Sequence, residues 1–206
     1  MAMPPWIRTQ LSNPHGWLAE PMAWLLNRRN RSNYKRALNL LAVQPGEHVL
    51  ELGFGGGLGL KPLLAAGAIV TAADPAVAMR ARALRKHYRA VAEGRLVVVD
   101  ARSEALPEGP FDAAISMNTV YFWTDVPASM AELRRACGRV VLGIASTKHL
   151  QEVGFSESGF RVEPAEWYGE ALTQAGFKVR LERADGGSAF LVGVVPTAIE
   201  SGLGLR

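Results

Sequence analysis

The chain has 206 residues, of which 49% are hydrophobic and 20% charged, and its formal net charge is +4. These proportions exclude a low-complexity or highly charged disordered chain, and the lack of a long apolar run argues against a membrane span. Its single cysteine, Cys137, excludes an internal disulfide and a multi-cysteine zinc site. We therefore expect a globular cytoplasmic protein with Cys137 in its core.

The positive charge is concentrated near the N-terminus. Residues 1–46 contain one acidic residue, Glu20, and six basic ones, namely Arg8, Arg28, Arg29, Arg31, Lys35 and Arg36. The basic stretch NRRNRSNYKR is compatible with contacts to phosphates or an anionic membrane, or with a solvated helix face. We interpret residues 1–31 as a basic and aromatic lid segment, and residues 32–206 as the main domain.

The first half of the chain alternates helical and strand patterns. Residues 17–43 predict a helix broken near residues 30–33, where Ser32 or Asn33 could cap its second part. HVLEL at 48–52 predicts a buried parallel strand. A short helix over 58–66, a strand ending at Asp74, a long helix from Pro75 to Gly94 and the strand RLVVVD follow.

The second half continues this alternation and ends differently. FDAAIS, a helix over 124–136 and RVVLGIA precede a loose stretch at 146–162, and a helix then runs from Pro164 to Gly176. The last two apolar runs flank Asp185-Gly186 and predict a hairpin. The pattern indicates an α/β fold with a doubly wound, Rossmann-like sheet of seven strands, mostly parallel, with an antiparallel strand in the C-terminal hairpin.

A glycine-rich turn follows the first strand in VLELGFGGGLGL, residues 49–60. A dinucleotide fingerprint fails because leucines stand where its third glycine belongs, and no Gly-Lys-Ser/Thr of a P-loop is present. The spacing is E-x-G-x-G-x-G, with Glu51 at its head. Since a glutamate would repel a pyrophosphate and attract a cation, the pattern favours a cationic ligand at the carboxyl end of the strand.

From about residue 43 to 195 the sequence resembles the class I S-adenosylmethionine-dependent methyltransferases. The resemblance implies a contact loop for the methionyl and ribose parts of S-adenosylmethionine made by Glu51, Gly53, Phe54, Gly55 and Gly57. It implies Asp74 for the ribose hydroxyls and Asp100 with Ala101 for the adenine. Asn118, after the fourth strand, is then expected at the active edge of the cofactor.

The activity implied by the resemblance is in-line methyl transfer to a small organic acceptor, without a metal. Tyr121 and His149 are the catalytic candidates: Tyr121 precedes Phe122 and Trp123, and His149 lies beyond the carboxyl end of a strand. Two alternatives remain open, a phospholipid headgroup N-methyltransferase at a membrane surface and a non-catalytic cofactor-binding partner subunit. No nucleic-acid partner is expected, and the oligomeric state is not indicated.

Overall fold

The computed structural model describes residues 19–196, with side chains from residue 30 onward. Seven strands form one sheet: β1 (His48–Leu52), β2 (Ile69–Ala73), β3 (Leu96–Val99), β4 (Phe111–Met117), β5 (Cys137–Ile144), β6 (Lys178–Arg183) and β7 (Ala189–Val194). Their order is β3-β2-β1-β4-β5-β7-β6. The sheet order reverses between β1 and β4, which is where doubly wound sheets bind ligands.

The helices of the described residues fill the connections. They are α1 (Ala19–Leu41), α2 (Leu60–Ala65), α3 (Val77–Lys86), α4 (Tyr88–Ala92), α5 (Val126–Ala136), α6 (Thr147–Glu152) and α7 (Ala165–Gln174). Short 3₁₀ turns lie at Val120–Phe122, Ser156–Ser158 and Asp185–Gly187.

The strand directions confirm the predicted fold. Strands β1 to β5 pair in parallel, whereas β7 runs antiparallel to both β5 and β6. The β6–β7 hairpin predicted around Asp185-Gly186 is present. Because β1 to β5 share one direction, their carboxyl ends meet at the same edge of the sheet.

Helices cover both faces of the sheet. One core cluster joins the sheet to α1, α2, α3 and α4 through side chains such as Leu41, Leu63 and Met79. The other joins it to α5 and α7 through Met130, Leu172 and their neighbours, and it contains Cys137 as expected. This three-layer arrangement explains why the strands read as nearly continuous apolar runs.

The break predicted in the first helix near residues 30–33 is wrong, because α1 is continuous from Ala19 to Leu41. Tyr34, Ala37 and Leu41 lie on one stripe of this helix and are buried against the sheet. Burial of that stripe outweighs the weak helix preference of the asparagine- and serine-containing run. The helix therefore crosses the boundary proposed after residue 31, and residues 1–18 of the proposed lid lie outside the described residues.

Two further expectations about the chain are corrected. The long helix after Pro75 is divided into α3 and α4 at His87, whose φ of −116° is not helical. The stretch at 146–162 is not loose throughout, since it contains α6, with the Ser146 side chain accepting a hydrogen bond from the His149 backbone at its start. The second correction affects the carboxyl edge of the sheet, because α6 directly follows β5.

Candidate active site

A cavity of about 600 Å³ lies at the carboxyl edge of the sheet. Its size is within the range of about 300–1,000 Å³ that is usual for small-molecule and cofactor sites. We call the side formed by residues after β1, β2 and β3 the cofactor half. The acceptor half is formed by residues after β4 and β5, the middle of α1, and the β6–β7 turn.

The glycine-rich loop after β1 forms the floor of the cofactor half. Gly53 and Gly55 line the cavity with φ of +67° and +49°, a left-handed conformation that favours glycine. A Cβ at Gly53 would come within 2.5 Å of the Thr119 Cγ2 atom. Phe54 also lines the cavity, whereas Gly57, at φ +72°, lies behind it, beside Leu60.

Asp74, at the end of β2, connects this loop to the start of α3. Its Oδ2 accepts a hydrogen bond of 2.8 Å from the Gly55 N–H, and its Oδ1 accepts one of 2.8 Å from the Ala76 N–H. Burial raises the pKa of Asp74, and the two N–H donors oppose that rise. Since each carboxylate oxygen has about two lone-pair sites, both oxygens keep one that can accept a further donor from a ligand.

Glu51 does not line the cavity. It is fully buried in β1, below the glycine-rich loop, and accepts a 2.5 Å hydrogen bond from the Tyr34 hydroxyl of α1. Burial raises the pKa of Glu51 from 4.5 to about 7, although the Tyr34 hydroxyl and the Gly59 N–H lower it. Tyr34, its hydrogen-bond partner, does line the cavity, and a direct attraction between the Glu51 carboxylate and a cationic ligand stays a prediction.

The residues after β3 divide into two groups. Ala101 lines the cavity, as do Arg102, Ser103 and Glu104. Asp100 does not, and its side chain is 65% exposed and paired at 2.9 Å with Arg80. The Arg80 guanidinium also donates to the carbonyl oxygens of Asp74 and Pro75, at 2.8 and 2.7 Å. Arg80 thus ties the ends of β2 and β3 together at the rim.

Asn118 lies at the end of β4, where the two halves of the cavity meet. Its φ of +58° is unusual for a residue other than glycine, although asparagine tolerates it best. Its N–H donates to the Gly143 carbonyl of β5 at 2.8 Å. Its side-chain amide donates to Asn30 Oδ1 of α1 at 3.2 Å, so this contact joins the helix to the active edge.

Aromatic side chains form one wall of the acceptor half. Tyr121, Phe122 and Trp123 line the cavity, together with Phe155. Tyr121 meets Phe122 and Phe155 edge to face, with ring centroids 6.2 and 5.9 Å apart. The Tyr121 hydroxyl accepts a hydrogen bond from the Ala145 N–H, and burial raises its pKa far above the usual value. Tyr121 is thus in the cavity as predicted, but its geometry suits a wall residue rather than a base.

His149 lies in α6 and is half-buried where it lines the acceptor half. The side chain follows β5, as its position in the sequence suggested. His48 is at the opposite edge of the sheet, where its N–H donates to Asp112 Oδ2 at 2.8 Å. A proton-transfer role for His149 stays a prediction.

The sequence interpretation missed three cavity residues on α1, namely Asn30, Asn33 and Tyr34. Their spacing of three and four residues places them on one helix face, in line with the buried Ala37 and Leu41. That signal was present, but the predicted break divided it. Phe155 was missed because it lies within the stretch expected to be loose.

Comparisons with known proteins agree with this geometry. A family model described as a methyltransferase domain matches residues 50–139. A malonyl-[acyl-carrier protein] O-methyltransferase from Serratia marcescens is 30% identical over 127 residues, which are 58% of this chain and 47% of that protein. The chain thus spans about half the length of that curated relative.

Solved structures show the same fold at low sequence identity. A chain of the Haloferax volcanii complex between the Trm112 methyltransferase activator and its partner aligns with a TM-score of 0.74 and 20% identity, over 88% of this chain and 96% of that one. A SAM-dependent methyltransferase from Aquifex aeolicus aligns with a TM-score of 0.69 and 17% identity, over 94% and 100%.

A doubly wound sheet with a glycine-rich loop and a strand-end carboxylate in one cavity defines a protein class that binds a nucleoside cofactor at its carboxyl edge. Within this class, the matching family model indicates a methyltransferase domain. Residues 50–139 thus match a methyltransferase domain, and the fold is that of solved S-adenosylmethionine-dependent methyltransferases.

Proposed function

We propose that this protein transfers the methyl group of S-adenosylmethionine to a small organic acceptor. The observation that carries the proposal is the continuity of the cavity, which joins the cofactor half to the acceptor half at Asn118. A donor in the first half and an acceptor in the second can therefore touch without an intermediate carrier. Holding two reactants in contact is the main contribution that such a site can make to this reaction.

The cofactor half offers groups that match an adenosyl ligand. The glycine-rich loop lets the ligand approach the backbone closely, and the two oxygens of Asp74 each keep an acceptor site for a ribose hydroxyl. Ala101 leaves room for a flat ring beside the end of β3. We assign Gly53, Phe54, Gly55 and Asp74 to direct contacts, and Glu51, Gly57 and Asp100 to the support of these residues.

When bound, the cofactor supplies a methyl group activated by a sulfonium centre, and a lone pair of the acceptor forms the new bond to carbon while the sulfur keeps the electron pair of the broken bond. The protein must exclude water and orient the acceptor. Tyr121 and Phe122, as part of the aromatic wall, are the residues we assign to the exclusion of water. Where the acceptor loses a proton, His149 is the group we assign to receive it.

The alternative of a lipid headgroup enzyme gains no support from the described lining of the cavity, and the non-catalytic partner subunit is left to the experiment below. No described helix is long and apolar enough to cross a membrane. The described lining of the cavity contains no lysine, and its one arginine, Arg102, is exposed in the cofactor half. A phosphate-bearing headgroup would have few cationic partners there.

The experiment has two readouts on the purified protein. Calorimetry with S-adenosylhomocysteine measures cofactor binding, and incubation of the protein with methyl-labelled S-adenosylmethionine and fractionated small-molecule extract measures transfer. We expect binding and label in at least one fraction. Absence of binding would overturn the cofactor assignment, and binding without transfer to any fraction would favour the non-catalytic subunit.

A further inference from the structure

We propose that the acceptor is an uncharged molecule with an apolar, ring-sized body. This inference rests on the proposed methyltransferase function and concerns the acceptor half of the cavity. The observation that carries it is the distribution of charge along the cavity lining, which differs sharply between the two halves.

Among the described residues, the charged side chains of the lining all follow β2 or β3 in the chain, and the Glu104 carboxylate alone reaches the backbone after β4. They are Asp74, Arg102 and Glu104. Glu104 is already engaged, since its carboxylate accepts hydrogen bonds of 2.7 and 3.4 Å from the N–H groups of Thr124 and Asp125. In the acceptor half, His149 is the one basic side chain among the described lining residues.

The polar side chains of the acceptor half are largely paired with one another. Asn118 donates to Asn30, and the Asn33 amide donates to Ser188 Oγ at 3.4 Å. These pairs connect α1 to β4 and to the β6–β7 turn. Amides and hydroxyls that already have partners can hydrogen-bond one neutral group of a ligand, but they do not form the cluster of donors that a carboxylate or phosphate requires.

The remaining surface of this half is apolar and well packed. Phe122 and Phe155 line the cavity with ring centroids 6.1 Å apart, and Phe160, outside the lining, packs against Phe122 at 5.0 Å. Leu150 and Val153 of the α6 region complete the wall. Ring edges and faces held in this way offer a firm, flat surface for the body of an apolar ligand.

Charge placement and packing together favour a neutral acceptor. A carboxylate or ammonium moved from water into this half would lose hydration without gaining an opposite charge among the described lining residues. A neutral apolar molecule loses little hydration and gains contact with the rings. The geometry thus separates neutral acceptors from charged ones of the same shape.

The test uses three ligands of matched size, naphthalene-methanol, naphthoate and naphthylmethylammonium, titrated into the full chain saturated with S-adenosylhomocysteine. We expect the neutral ligand to bind at least about tenfold more tightly than either ion. Equal or tighter binding of an ion would overturn the inference, and so would no binding of any of the three. If S-adenosylhomocysteine itself does not bind, the proposed function fails first, which distinguishes the two failures.

A charge introduced into the wall provides a second test. Val153 lines the acceptor half and is 38% exposed, so Val153→Lys should fold and present an ammonium to the ligand. We expect naphthoate to bind about tenfold more tightly to this variant than to the wild type. Val97→Lys is the matched control, because Val97 is 49% exposed on β3 and lies outside the lining. An equal response of the two variants would show that the ligand does not occupy this half.

Discussion

The hydroxyl of Tyr34 in α1 donates a 2.5 Å hydrogen bond to Oε1 of Glu51 in β1, and both residues are buried below the glycine-rich loop. The other carboxylate oxygen, Oε2, is buried without a hydrogen-bond partner among the described residues. Gly59 packs directly against this pair and leaves no room for a side chain, since a Cβ there would lie 2.5 Å from Glu51 Oε1 and 2.6 Å from Tyr34 Cε1. The N-terminal helix is thereby attached to the loop that is expected to hold the cofactor.

We predict that Tyr34→Phe lowers the free energy of unfolding by about 1–3 kcal/mol, because it leaves a buried carboxylate with one donor fewer. It should also weaken S-adenosylhomocysteine binding, since Tyr34 lines the cavity. Tyr168→Phe is the control: its hydroxyl donates to the Arg161 carbonyl at 3.1 Å, in the other core cluster. Denaturant unfolding and calorimetry measure both effects, and an unchanged affinity in Tyr34→Phe would contradict the role given to this contact.

Folding stability should depend on pH through Glu51. Burial raises its pKa from 4.5 to about 7, so the folded state binds the proton more tightly than the unfolded state. Below about pH 4.5 Glu51 is protonated in both states and its burial does not lower the free energy of unfolding. Between about pH 4.5 and 7 the free energy of unfolding falls, and above that range it is lower by about 3 kcal/mol because of Glu51. Glu51→Gln should lack this component, so the difference in unfolding free energy between the two proteins should change across that window. A constant difference would contradict the prediction.

Asp74→Ala should weaken the binding of S-adenosylhomocysteine by about 2–4 kcal/mol through two lost charge-assisted hydrogen bonds. Asp112→Ala is a matched control, because Asp112 also accepts a backbone hydrogen bond, from His48, but at the opposite edge of the sheet. Calorimetry on both folded variants decides the matter. An equal loss in the two variants would indicate general destabilisation instead of ribose recognition.

Arg80→Ala should weaken cofactor binding by roughly 0.5–1.5 kcal/mol although Arg80 lies outside the cavity lining. The reason is that its guanidinium holds the Asp74 and Pro75 carbonyls and Asp100 at the rim. As a control, Arg95→Ala removes an exposed arginine that pairs with Glu93 at 2.5 Å, and it should leave the affinity unchanged. Equal affinities of wild type and Arg80→Ala would show that this rim contact is dispensable.

The lid proposal is tested by truncation and hydrogen exchange. Removal of residues 1–31 deletes Asn30, the partner of Asn118, and should abolish turnover while cofactor binding persists. Removal of residues 197–206 is the control and should preserve turnover. Backbone amides of residues 19–31 should exchange more slowly when S-adenosylhomocysteine and an acceptor are present. Unchanged exchange together with full activity of the shorter chain would contradict a lid.

Local sequence patterns were sufficient for the fold and for half of the cavity. The apolar runs of β1 to β5, the turn at Asp185-Gly186 and the spacing of Gly53 and Gly55 depend on short-range preferences, which a single sequence displays. Parallel strands then bring their carboxyl ends to one edge, so the placement of Asp74, Ala101 and Asn118 there followed from strand order.

Tertiary contacts decided which further side chains face the cavity. The Glu51 carboxylate, predicted to contact the ligand, accepts a hydrogen bond from Tyr34 of α1 and does not line the cavity, whereas Tyr34 does. The continuity of α1 depends on burying Tyr34, Ala37 and Leu41 against the sheet, a long-range gain that local propensity does not contain. The uncharged acceptor half likewise exists only because α1, α6 and the β6–β7 turn, distant in sequence, converge on the end of β4.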